Sequence, residues 1–103
     1  MAKMTVIYNA PKNVAAFEQH YFDVHIPLAK KLPGLLKYEI NDEPIISTTG
    51  HTVYRIANLY FETMDAMKAA FASEIGQQCA ADRKILAPNN DDVQIYLYDG
   101  REV

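Results

Sequence analysis

One cysteine, no tryptophan, four glycines and no long apolar run: each scarcity closes off a class of explanation. Cys79 has no second cysteine to bridge to, and no cysteine–histidine spacing resembles a zinc ligand set, so neither disulfides nor a structural metal hold this chain together. A single unpaired thiol suits a reducing compartment. The apolar stretch 4–8 is too short for a signal sequence, and no segment approaches the roughly 18–20 apolar residues of a membrane span. The expectation is a soluble, cytoplasmic protein with no membrane partner. The glycines form no phosphate-cradling loop, no dinucleotide fingerprint and no nucleophile elbow, so no cofactor is expected. Positive charge is scarce too: ten Lys and Arg against thirteen Asp and Glu leave a net charge of −3, with no basic run longer than Lys30-Lys31. A nucleic-acid binder concentrates basic residues on one face, and this chain has no such concentration.

What is present is apolar and aromatic. Half of the 103 residues are hydrophobic, enough for a packed core, and the length is that of one domain, residues 1–103. Seven tyrosines suit ligand pockets and interfaces, although strand propensity accounts for many of them equally well. Residues 4–8 read as a strand that ends at Asn9-Ala10-Pro11. Asn13 caps a helix in which Val14, Phe17, Tyr21, Val24 and Leu28 recur at the helical period, Leu32 continues the series and Pro33-Gly34 stops it. Residues 35–41 and 53–61 read as strands, and the connection 42–52 is long for a hairpin. Thr63 caps a helix with Met64, Met67 and Phe71 inward. Ser73 caps another over residues 74–87, with Ile75, Cys79, Ile85 and Leu86 as core candidates. Residues 93–98 form the last strand. This βαββαβ order is a ferredoxin-like α+β fold, a four-stranded antiparallel sheet with helices on one side. An open sheet face should be polar, yet residues 53–61 are largely apolar or aromatic on both faces. A second copy closing against that face is the expected cover, so the chain is expected to be a homodimer.

The chemistry-bearing stretch is residues 20–35, with His20, His25, Pro27 and Pro33-Gly34. A proline inside a helix costs about 3 kcal/mol or more, and a helix that must only pack has no use for one. Its place beside His25 points to a helix end near Pro27, shaped so that the imidazole faces a cavity; the competing reading is a kink forced by the next strand. Histidine suits proton transfer near neutral pH, while a helix-end histidine bonded to a carbonyl is the competing role. Tyr38 shares strand parity with Leu36 and Ile40, so its ring is expected on a buried face, within reach of the same ligand as His25. His51 joins them only if the long connection folds back over the opening. Arg55, Asn58, Tyr60 and Tyr96 are candidate ligand-binding side chains, with Arg55 and Asn58 as anchors for an anionic or carbonyl group; Arg55 could instead pair with Glu39 across the sheet. His20 is less favoured. It lies five residues before His25, a spacing that an α-helix does not bring to one face, and no metal site is expected.

The pattern Phe17-x-x-His20-Tyr21-x-x-x-His25-x-Pro27-Leu28, followed by Leu32-Pro33-Gly34-Leu35 and Tyr38, resembles the EthD family, as do Ala57-x-Leu59-x-Phe61 and Ser73. The resemblance spans nearly the whole chain and implies a dimeric α+β barrel. The family is named for ethyl tert-butyl ether degradation, which implies small-molecule catabolism and a small apolar, oxygen-bearing metabolite as ligand. Related barrels isomerise lactones, cyclise polyketides, oxidise without a cofactor or degrade haem. Isomerisation, cyclisation and cofactor-free oxidation therefore stay open, as do haem binding by His25 and a non-catalytic binding or accessory role. In the lactone-isomerising relatives a helix histidine, a strand-two tyrosine and a histidine before strand three look like the active group. The resemblance thus implies His25, Tyr38 and His51 as catalytic candidates.

Overall fold

Alternating apolar and polar residues build four strands, β1 (Ala2–Tyr8), β2 (Lys37–Ile40), β3 (Arg55–Phe61) and β4 (Val93–Asp99). They make one antiparallel sheet in the order β2-β3-β1-β4, the ferredoxin-like arrangement expected from the sequence. The computed structural model describes residues 1–103. Because successive side chains on a strand point to opposite faces, register decides which residues can share a site. Ala2, Val6 and Tyr8 of β1 and Arg55, Ala57, Leu59 and Phe61 of β3 are all buried. Tyr38 pairs with Leu59 and Ile95 with Val6, so both belong to that same helix-covered face. Lys3, Thr5, Asn58, Tyr60, Tyr96 and Tyr98 occupy the other.

The first helix runs without a break through α1 (Val14–His20), a π-helical turn (Tyr21–His25) and α2 (Ile26–Ala29). Asn13 caps it, its side-chain oxygen accepting from the Ala16 N–H at 3.0 Å. Within the π turn the Ile26 N–H reaches back five residues to the Tyr21 carbonyl. This wider turn accommodates Pro27, whose ring would clash with the preceding turn of a regular helix. The helix passes Pro27 and ends two residues on, at Ala29, close to the expected end. The extra residue also shifts the buried stripe. Phe17, Tyr21, His25, Ala29 and Leu32 are buried, whereas Val14 and Val24, expected to face the core, are exposed. Gly34, at φ 77°, then turns the chain toward β2 in a conformation that favours glycine.

The remaining helices are α3 (Met64–Ala72) and α4 (Glu74–Leu86), started by the expected caps: Thr63 accepts from the Ala66 N–H and Ser73 from the Gly76 N–H. The buried positions of α4 are Gly76, Cys79 and Asp82, and Ile85 is exposed, contrary to expectation. At Gly76 the helix crosses so close to α3 that a Cβ would run into the Ala70 carbonyl and the Phe71 backbone. Strand β4 is open on both faces, with Ile95 40% exposed, Tyr96 52%, Leu97 51% and Tyr98 44%. No helix is long and apolar enough to cross a membrane.

Candidate functional site

The π turn brings two histidines to one carboxylate. Residues five apart diverge on an α-helix but align where the hydrogen bonds themselves span five residues. His20 and His25 thus both reach α4, which corrects the expectation that their spacing keeps them apart. His25 Nδ1 donates to Asp82 Oδ2 at 2.8 Å, and His20 Nε2 donates to Asp82 Oδ1 at 2.7 Å. A carboxylate can only accept, so both of these nitrogens carry hydrogens. Holding Nδ1–H on His25 leaves Nε2 as its basic nitrogen, without a protein partner. Asp82 and His25 are buried, and His20 lies between them and the surface. Burial lowers the His25 pKa below the usual histidine value and is opposed by the hydrogen bond and charge of Asp82; the nearby His20 and Arg83 lower it further.

His25 borders a cavity of about 120 Å³ between the helices and the sheet. Tyr8, Tyr21, Tyr38, Cys79 and Arg83 also line it, and the rest of the wall is aliphatic or aromatic. Phe17, Tyr21 and His25, at four-residue steps, form a stack with centroid separations of 5.6 and 5.3 Å and interplanar angles of 12° and 26°. The Tyr21 and Tyr38 hydroxyls bond to each other at 2.7 Å. Burial pushes the Tyr38 phenol up to about 12 and Tyr21 higher still, so both remain neutral near pH 7. The same cause raises the Cys79 thiol, which stays protonated. An apolar cavity of about 150 Å³ holds benzene, so this one suits a single ring or a guest of similar size.

Of the expected site residues, His25 and Tyr38 share this cavity. His51 does not join them. It is exposed in the connection before β3, with its backbone N–H bonded to Ser47 Oγ at 3.1 Å. Arg55 is on the helix-covered face but packs beside the cavity wall. Its guanidinium lies 4.4 Å from the Tyr21 ring centroid, and Nη2 donates to Glu18 Oε1 at 2.6 Å. Glu39 pairs with Lys37 at 3.2 Å instead of with Arg55. Asn58, Tyr60 and Tyr96 have the wrong strand parity and lie on the opposite sheet face. There Asn58 accepts from Thr5 Oγ1 at 2.7 Å, and Tyr60 lies between Lys3 and Lys37. Tyr8, Tyr21, Asp82 and Arg83 are the site residues that sequence reasoning missed. One signal existed for Asp82: it follows Gly76 and Cys79 at three-residue steps, an acid in phase with a buried stripe. No group of three or more His, Cys, Asp or Glu side chains is placed to hold a metal ion.

A family model described as the EthD domain matches residues 10–87. An uncharacterised 11.0 kDa protein of the thcB–thcC intergenic region of Rhodococcus erythropolis is 35% identical over 82 residues, 80% of each chain. Among solved structures, an ethyl tert-butyl ether degradation (EthD) family protein from Bacillus halodurans has a TM-score of 0.86 at 22% identity, covering 98% of this chain and 99% of its own. A mutant of SnoaB, a cofactor-independent oxygenase from Streptomyces nogalater, has a TM-score of 0.71 at 15% identity, covering 99% and 94%. Other solved structures of this fold are described as dimeric ferredoxin-like proteins.

Proposed function

The chain belongs to the EthD family, and from that premise we propose that it binds a small apolar, oxygen-bearing metabolite in the cavity beneath its helices and moves a proton on it with His25. The reading is of small-molecule catabolism, by a homodimer, in the reducing cytoplasm that the free thiol of Cys79 suits. One observation carries it: the single basic nitrogen bordering an apolar, ring-sized cavity belongs to an imidazole whose other nitrogen is held by a buried carboxylate.

That arrangement is suited to abstracting a proton from carbon next to a carbonyl. His25 Nε2 takes the proton, the C–H electron pair moves into the new C=C bond, and the carbonyl π pair becomes the enolate oxygen's charge. The imidazolium is stabilised by its Nδ1–H bond to Asp82. Return of the proton to the same carbon gives exchange, and to another carbon gives isomerisation. The lowered pKa keeps Nε2 unprotonated at neutral pH, so the base is ready without prior deprotonation.

Incubating the protein with cyclohexanone and a panel of single-ring ketones and lactones in D2O, followed by NMR, tests this reading. We expect protein-dependent loss of an α-proton signal from at least one panel member. His25→Gln should abolish it, and Asp82→Asn should slow it by about 10²-fold or more at similar substrate affinity. Binding across the panel without exchange would support the non-catalytic alternative instead.

A further inference from the structure

The cavity contains more hydrogen-bonding capacity than the proton transfer uses. Tyr21 and Tyr38 bond their hydroxyls to each other, and Tyr54, outside the cavity, bonds its hydroxyl to Glu18. Tyr8 is only 2% exposed and lines the cavity, and none of the side-chain hydrogen bonds within the protein uses its hydroxyl. That hydroxyl is not sealed from accessible space, so it is free to meet a ligand atom in the cavity. Burial raises the phenol pKa well above its ordinary value, so it serves as a neutral donor. Arg83, from α4, borders the same cavity. Its one side-chain hydrogen bond runs from Nη1 to the Ala87 carbonyl at 3.1 Å, and it has no carboxylate partner.

Arg55 also has unpartnered nitrogens, Nε and Nη1, but it does not line the cavity. Its guanidinium is enclosed by Phe17, Tyr21, Phe22 and Tyr54, with ring centroids 4.4–5.7 Å away, so aromatic faces meet those N–H groups. The Tyr21–Tyr38 bond uses one of its two hydroxyl hydrogens, so the polar groups open to a guest are Tyr8, Arg83, His25 Nε2 and whichever hydroxyl of that pair accepts.

We propose that Tyr8 and Arg83 are the oxygen-binding pair of this site, and that its ligands are ring-sized carbonyl compounds whose oxygen gains negative charge as His25 takes the α-proton. The phenol donates to the carbonyl oxygen, and the guanidinium favours the enolate through its charge. The assignment rests on the reading of the cavity as a ligand site served by His25. It adds which atom of the ligand is held and by what, and it separates carbonyl substrates from hydrocarbons of the same shape.

Cyclohexanone and methylenecyclohexane differ only in C=O against C=CH2, and the ketone cannot use the His25 lone pair. By titration calorimetry we expect the ketone to bind at least about fivefold tighter, roughly 1 kcal/mol. Tyr8→Phe should erase that preference while leaving methylenecyclohexane affinity unchanged, and Arg83→Gln should reduce it. The bound ketone's C=O stretch should be lowered in frequency in the wild type, a shift lost in Tyr8→Phe. With no ligand, Tyr8→Phe should melt no lower than the wild type, because it removes an unpartnered hydroxyl. Equal affinity for the two compounds, or a preference that survives Tyr8→Phe and disappears in Tyr38→Phe, overturns the assignment and leaves His25-dependent exchange standing. Failure of both compounds to bind, together with no exchange from any member of the panel, overturns both readings together.

Discussion

A histidine five residues from another acquires its meaning from a carboxylate 57 positions further on. Asp82 orients the His25 ring, and burial sets its basicity. The pH dependence of stability follows from that. With the folded pKa below 6.5, the unfolded chain holds a proton that the folded chain does not whenever the pH lies between the two values. Unfolding then takes up a proton, so stability falls as the pH drops from 6.5 through the folded pKa and stops changing on this account below it. Above pH 6.5 His25 contributes no slope. Denaturant titrations at several pH values from 7.5 to 4.5 should give a steeper loss for the wild type than for His25→Gln. Parallel curves would mean that His25 titrates alike in both states, contrary to its burial.

Elements place these residues through two local departures from regularity. The π turn at Tyr21–His25 rephases the first helix so that a four-residue series, Phe17, Tyr21, His25 and Ala29, replaces the expected stripe through Val24. The close crossing of α4 over α3 at Gly76 sets how near Cys79 and Asp82 come to the first helix. Gly76→Ala would force a methyl into backbone atoms, an overpacking that costs about 1–3 kcal/mol. Because α4 must move to relieve it, His25-dependent exchange should fall along with the melting temperature. Gly34→Ala is the contrasting case. It strains a left-handed turn with open space around it, so it should lower stability by about 1 kcal/mol while exchange per folded molecule is retained.

At the scale of the whole molecule, β4 is the unfinished part. Ile95 and Leu97 on one face and Tyr96 and Tyr98 on the other are all at least 40% exposed, at the edge of the sheet. A monomer rarely leaves such a strand uncovered, and structures of the same fold are described as dimers. Light scattering at micromolar concentration should therefore give about twice the 11.7 kDa chain mass. Replacing Tyr96 and Tyr98 together by Lys puts two charges into the proposed interface and should shift the protein toward monomer. A wild-type mass of one chain would show that the open face is covered in some other way. Asn58, Tyr60 and Tyr96 belong to this question and not to the ligand site, because strand parity puts them on the far side of the sheet from His25.

Local chemistry alone determined much of this protein. Asn13, Thr63 and Ser73 cap their helices because short polar side chains satisfy free amides wherever a helix begins, and periodicity sorted strands from helices into the βαββαβ order. The His25–Tyr38 pairing was legible because a short Pro33-Gly34 return ties the helix to β2. Tertiary structure decided what depended on phase and on distant partners. One extra residue in a helical turn rotates everything after it, so Val24, inward by a regular helical count, faces out, and His20 joins His25 on one side. Asp82 gains its place only when two imidazoles from another helix arrive, because a buried carboxylate is stable only when its partners are in place.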